Sequence, residues 1–132
     1  MSEKTSFDLV SPERLLLSED AEMVTIPGAE GEMGVMAGHM PLVSTLKPGV
    51  IDVKIEHGKH DRFFVTGGFA EVTATKLTVL AEEALPLAHL DEATLRQRII
   101  DAEEDIATAK SDAEMNRATT ALDEYKRLLA AE

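Results

Sequence analysis

The sequence predicts a segregated α+β chain, an antiparallel β-sandwich over residues 1–86 followed by an antiparallel two-helix hairpin over residues 87–132. Three observations carry this. From Phe7 to about Ala81, short apolar runs with period-two alternation are separated by turn chemistry. After Glu82-Glu83-Ala84-Leu85-Pro86 glycine and proline cease, and alanine, glutamate, leucine and arginine dominate, the composition of helices. No helix-length amphipathic segment separates the strand-like runs, which excludes a βαβ arrangement.

Taken in order, Phe7-Asp8-Leu9-Val10 reads as a strand leading into a Ser-Pro turn. Leu15-Leu16-Leu17 and Met23-Val24-Thr25-Ile26 follow, the second stopped by Pro27-Gly28. The clearest strand is Val50–Glu56, where Ile51, Val53 and Ile55 alternate with Asp52, Lys54 and Glu56, as a half-buried strand requires. His57-Gly58-Lys59-His60 reads as a hairpin turn and Arg62–Thr66 as the returning strand. Phe69–Thr73 and Lys76–Ala81 complete the β-rich part around a turn at Ala74 and Thr75. In the tail, Asp91 stands as the N-cap of a helix with the stripe Leu95, Ile99, Ala102 and Ile106. Ser111 and Glu114 form a capping box, each serving the other's free amide, ahead of a second stripe of Met115, Ala118, Leu122, Tyr125 and Leu129. Ala102 and Ala118 allow close helix approach. Short helices are marginal in water alone, so the hairpin is expected to be the least protected part of the chain in amide exchange.

Composition narrows the function. A formal charge of −12 repels nucleic-acid backbones and anionic headgroups, and the absence of tryptophan leaves little for a base-stacking platform. Without cysteine there is no disulfide and no thiolate metal site. The polar start Met1–Ser6 lacks the apolar stretch of a secretory signal, and no segment approaches bilayer length. Neither nucleic acid nor direct lipid insertion is expected.

The stretch Glu30–Gly49 is the most informative. Gly31, Gly34 and Gly38 with Pro41 and Pro48 break it into a shaped loop edge, between which stand Met33, Val35, Met36 and Met40. Those methionines either plug the end of a β-core or present an adaptable surface to a partner. Glu32 and His39 could do acid–base work in a pocket, but no nucleophile motif accompanies them, and an exposed contact role fits better. The glycines are followed neither by Lys-Ser or Lys-Thr nor by a helix signal, so they are no phosphate cradle. His57 and His60, with Asp61 beside them, have metal-like spacing but no fixed third ligand. Glu103-Glu104-Asp105 reads as a solvated helix face. No catalytic residue, cofactor site or metal site is assigned.

Three strings in this order, Glu30-Gly31-Glu32-Met33-Gly34, Gly38-His39-Met40-Pro41-Leu42 and Lys47-Pro48-Gly49, continue at Phe64-Val65-Thr66-Gly67-Gly68-Phe69-Ala70-Glu71-Val72. The pattern resembles the epsilon subunit of the bacterial F-type ATP synthase, over nearly the whole chain. The resemblance implies a non-catalytic rotor subunit of the central stalk in a proton-translocating synthase. Such a subunit lies peripherally on the cytoplasmic face of the inner membrane and couples the gamma subunit to the c-subunit ring. Carried over, Glu32, Met33, His39 and Met40 face the c ring, and Ser44 and Val50 face gamma. In the family the hairpin also reaches the catalytic beta subunits and modulates ATP hydrolysis.

Two departures follow from the same resemblance. The family's nucleotide motif is Ile/Leu-Asp-x-x-Arg-Ala; Leu90 and Asp91 match, whereas Thr94 and Leu95 stand in place of arginine and alanine, which implies weak or no ATP binding. The second helix offers only Arg117, Lys126 and Arg127 as cations and stops at Glu132, which implies modest inhibition. The other reading is a small β-sandwich metal- or ligand-binding protein using His39, His57 and His60.

Overall fold

The computed structural model describes residues 3–131; the readings placed on Met1, Ser2 and Glu132 lie outside them. The chain divides into two units, one ending at Pro86 and one beginning at Leu87.

The first unit is a ten-stranded β-sandwich. Its strands are β1 Thr5–Val10, β2 Leu15–Ala21, β3 Met23–Gly28, β4 Gly31–Val35, β5 Leu42–Leu46, β6 Gly49–Lys54, β7 His60–Val65, β8 Gly68–Val72, β9 Lys76–Ala81 and β10 Ala84–Pro86. They run in the order β10-β7-β6-β3-β5-β8-β9-β1-β2, with β4 paired to β3. In the strand order β3 joins β5 at one register pair, Gly28 with Leu46. The period-two pattern drives this: Phe7 and Leu9, Val24 and Ile26, Ile51 and Val53, Leu77 and Val79 are fully buried, while the residues between them are half-buried or exposed. Removing such side chains from water is the main stabilising term, about 1.5–3 kcal/mol for each large one.

Several expectations need correction. The sandwich is not wholly antiparallel, because β1 pairs in parallel with β9. A parallel pair needs a long connection, and here the rest of the sandwich supplies it. Pro27-Gly28 does not stop β3: pairing continues through Pro27 with Glu32 to Gly28 with Gly31. The Pro27 carbonyl accepts a hydrogen bond from the Lys47 amide at 2.9 Å, so the missing proline N–H leaves no gap in the register. Glu30–Gly49 is therefore not a loop edge throughout; it holds β4 and β5, and Val35 is fully buried. Strand β6 ends at Lys54, because Glu56–Gly58 form a 3-10 turn in which His57 has φ 65°. The edge strand β10, paired with β7, was not anticipated; its proline is tolerated because an edge residue need not donate.

The second unit holds α1 Glu92–Thr108 and α2 Asp112–Ala130, preceded by a 3-10 turn at Leu87–His89. Leu95 and Ala102 on α1, and Ala118 and Tyr125 on α2, are buried. Met115, expected in the stripe, is exposed instead, as befits a position in the first turn of α2. Asp91 caps α1, its Oδ1 accepting the Thr94 amide at 2.8 Å. The capping box is only half reciprocal. Ser111 Oγ accepts the Glu114 amide at 3.1 Å, but the Glu114 carboxylate takes the Lys110 amide at 2.9 Å.

Candidate functional site

Strand β4 delivers the chain into the segment Met36–Pro41, where two hydrogen bonds hold a tight turn. The His39 amide donates to the Met36 carbonyl at 3.2 Å, and the Gly38 amide donates to Ala74 of the β8–β9 turn at 2.7 Å. Gly38 has φ 86°, a conformation that costs other L-residues strain and glycine almost none. The His39 Nδ1–H donates to the Met40 carbonyl at 2.7 Å. Around this braced turn Met36 and Met40 project outward, Met40 with 79% of its surface exposed.

The candidate contact residues are not all brought together. His39 and Met40 share the turn, whereas Glu32 and Met33 lie back along β4, opposite Pro27 and Ile26. Glu32 is exposed and Met33 packs against the core, so no Glu32–His39 acid–base pair forms. Of the two readings of the methionines, Met33 follows the core one, and Met36 and Met40 follow the surface one. Ser44 on β5 shares the inward phase of Leu42 and Leu46 and donates Oγ–H to the Thr45 carbonyl at 2.9 Å. Val50 on β6 shares the outward phase of Asp52 and Lys54, so Ser44 faces inward and Val50 outward.

Sequence reasoning missed a second surface. Phe69 stands opposite Leu80, Leu80 opposite Val10, and Val10 opposite Leu15, giving one apolar row across the outer faces of β8, β9, β1 and β2. Val43 extends it diagonally on β5, where it is 70% exposed, and Phe69 is 55% exposed. The bulge between Leu9 and Val10 brings Leu15 into line. The signal was present in the sequence, since these are apolar residues at outward positions of alternating strands.

The histidines assemble no metal centre. His60 Nδ1 contacts Asp52 Oδ1 at 2.6 Å and Arg62 Nε donates to Asp52 Oδ2 at 3.0 Å. Burial raises the Asp52 carboxyl, but the bonds from His60 and Arg62 outweigh it and hold it below the ordinary range. His57 points into solvent. Among the described residues no group of three or more His, Cys, Asp or Glu could hold a metal ion.

The degenerate nucleotide motif is occupied by helix structure. The backbone amide of Thr94, followed by its side chain, holds the Asp91 carboxyl below its ordinary range, and Leu90 and Leu95 are buried. Arg96 pairs with Glu92 at 2.8 Å. Arg98 donates to the Tyr125 hydroxyl at 3.2 Å and lies 5.9 Å from that ring's centre.

A sandwich of this kind ending in a braced, apolar turn has known counterparts. Residues 4–87 match the family model described as the ATP synthase delta/epsilon chain β-sandwich domain. The ATP synthase epsilon chain of Parvibaculum lavamentivorans is 55% identical over 97% of this chain and 97% of its own length. This chain belongs to the ATP synthase epsilon chain family. The epsilon chain of Rhodospirillum rubrum is 49% identical over 99% of this chain and 98% of its own. A chain in a cryo-EM structure of the Euglena gracilis mitochondrial ATP synthase, with its c-ring in rotational state 1, superposes with a TM-score of 0.76 at 32% identity. That match covers 97% of this epsilon-family chain and 81% of the other. A chain in the central stalk and c-ring structure of the Tetrahymena thermophila mitochondrial ATP synthase shares the fold, with a TM-score of 0.66 at 13% identity, covering 97% and 98%.

Proposed function

We propose that this chain is a non-catalytic rotor subunit of the central stalk of a proton-translocating ATP synthase, on the cytoplasmic face of the inner membrane. In this reading the apolar row of Leu15, Val10, Leu80 and Phe69, extended by Val43, seats on the gamma subunit. The Met36–Pro41 turn, with Glu32 and Met33 behind it, meets the polar loops of the c-subunit ring. Ser44, inward on β5, and Val50, outward on β6, lie outside this row, so the row and not these two residues carries the gamma contact in this reading. The helical hairpin reaches the catalytic beta subunits and inhibits hydrolysis modestly.

The observation that carries the reading is the presence of two apolar surfaces, one of them the braced turn, on an otherwise strongly acidic chain. Contiguous exposed apolar residues on a soluble unit mark contact sites, and apolar anchors inside a polar rim supply most of the hold at an interface. The test is reconstitution of gamma and the c ring with two variants. Phe69→Asp with Leu80→Asp is expected to weaken gamma binding at least tenfold while Met40→Glu weakens only c-ring attachment. Unchanged binding by both variants would sink the reading, as would turnover of a substrate by the isolated chain.

A further inference from the structure

A pair of acids meets inside the sandwich. Glu19 lies on β2 opposite Phe7 of β1, in the same alternation as Leu17 and Ala21, which places it on the inward face. Asp61 lies on β7 opposite Val53 and shares the inward alternation of Phe63 and Val65. Strand β7 is next to one end of the strand order and β2 is the other end. Their contact therefore spans the sandwich rather than a ladder. Nearby, the same corner is tied by the Lys4–Glu56 ion pair and by the Glu22 amide donating to the Lys54 carbonyl at 2.8 Å.

What marks the corner is an acceptor with nothing to accept. Glu19 Oε1 is buried with no hydrogen-bond partner, and among the described residues the Thr5 hydroxyl, on the adjacent strand's inward face, is likewise buried and unpartnered, forming no bond to it. The cations on the surrounding strands are committed or turned away. Lys4 pairs with Glu56, Lys76 with Asp8, and Arg62 and His60 with Asp52 on the outer face of β6 and β7, where Lys54 also points. On the remaining side of β2, Asp20 and Ser18 face outward, and Phe7, Leu9 and Val53 on the packed strands are apolar and buried. Two carboxylates cannot share a hydrogen bond without a proton between them.

We propose that Glu19 and Asp61 hold one proton in common and form a pH-sensitive clasp that closes the edge strand β2 onto β7 across the sandwich. Burial pushes the Glu19 carboxyl upward, and the hydrogen bond and charge of Asp61 add to it, giving about 7. The sign follows from linkage. The unfolded chain gives up this proton near the ordinary glutamate value of ~4.3, whereas the folded chain keeps it until about 7. The clasp's contribution is thus complete below that lower value, is lost as pH rises between the two, and is gone above the upper one. Above it a charged Glu19 faces Asp61 while the neighbouring described cations are paired with other acids, and β2 is the strand released.

The test uses the full chain. Its thermal midpoint is expected to fall as pH rises from the ordinary glutamate value of ~4.3 to about 7, and Glu19→Gln and Asp61→Asn are each expected to flatten that fall. Carboxyl-carbon NMR of the unaltered protein is expected to show Glu19 titrating with a midpoint about 7, and protection of the β2 amides relative to the intrinsic, base-catalysed exchange rate is expected to fall on the alkaline side. The NMR arm needs no variant to fold. An ordinary glutamate midpoint would overturn the proposal, as would variants whose pH dependence matches that of the unaltered chain.

Discussion

Replacing Gly68 with alanine tests how the sandwich holds the surface that carries Phe69. Gly68 joins three strands: it pairs with Leu46 of β5 and Ala81 of β9, and its φ is 143°. A Cβ at this position would stand 2.1 Å from the Leu80 carbonyl oxygen and 3.0 Å from the Ala81 Cα. Both are backbone atoms in a paired strand, so relief requires β8 and β9 to separate by about 1 Å. The positive φ costs about 1–2 kcal/mol, and separating the strand ends loses about one backbone hydrogen bond, worth ~1 kcal/mol net. The expected loss is therefore about 2–3 kcal/mol, on the order of 10–25 °C in midpoint for a domain of this size. Gly38→Ala is the control, since its φ is 86° but nothing lies within 4 Å of the added carbon; only the conformational part, about 1–2 kcal/mol, applies. Urea unfolding followed by far-UV circular dichroism measures both. If Gly68→Ala were no less stable than Gly38→Ala, the argument from backbone crowding would be wrong.

Four further outcomes are expected. Asp91→Ala should fray the first turn of α1, read as faster amide exchange at Thr94; because the folded carboxyl sits below its ordinary range, the cap is present above the unfolded value of ~3.9 and is lost as pH falls through the folded one. Calorimetry with ATP should give no micromolar binding, since Arg96 and Arg98 are engaged within the hairpin; micromolar affinity would contradict this. Deleting the residues beyond Leu87 should raise ATP hydrolysis by the reconstituted enzyme only modestly, and a large rise would show that the few cations of α2 suffice for strong inhibition. Amide exchange should be faster in α1 and α2 than in β3, β6 and β9, and equal protection would refute the inference drawn from helix length.

Local pattern made much of the fold legible. Ile51 and Val53 against Asp52 and Lys54, or Leu95 and Ala102 on one helix face, are settled by side-chain period alone. Partner choice is not. Nothing in Phe7–Val10 says that β9 will lie beside it in parallel, because alternation fixes a strand's two faces and not its neighbours. Strands β4 and β5 were hidden by the glycines and prolines around them, which read as punctuation although Val35 and Leu46 are core residues. The apolar row was hidden for a related reason: Leu15, Leu80 and Phe69 are far apart in sequence and become one surface only through register and a bulge. Within Ser18-Glu19-Asp20 no feature singles out the middle acid as the inward one. That follows only from the phase of the whole strand.

The c-ring contact proposed for the braced turn places two demands on it. Exposed methionine is usually an adaptable contact because its side chain bends, yet a surface that carries torque must not yield in its backbone. Here the two properties are separated. The backbone of Met36–His39 is fixed by the Gly38–Ala74 and His39–Met36 hydrogen bonds, and the His39 ring is held by the Met40 carbonyl. Only the ends of Met36 and Met40 remain free to fit. Such a turn loses little backbone entropy on docking, so more of the apolar burial is left as binding energy. The glycine at position 38 is what permits this, since a Cβ there would strain the turn without touching anything. In the proposed contact the glycine at position 38 acts through backbone geometry, and the contact chemistry is assigned to the methionines and histidine beside it.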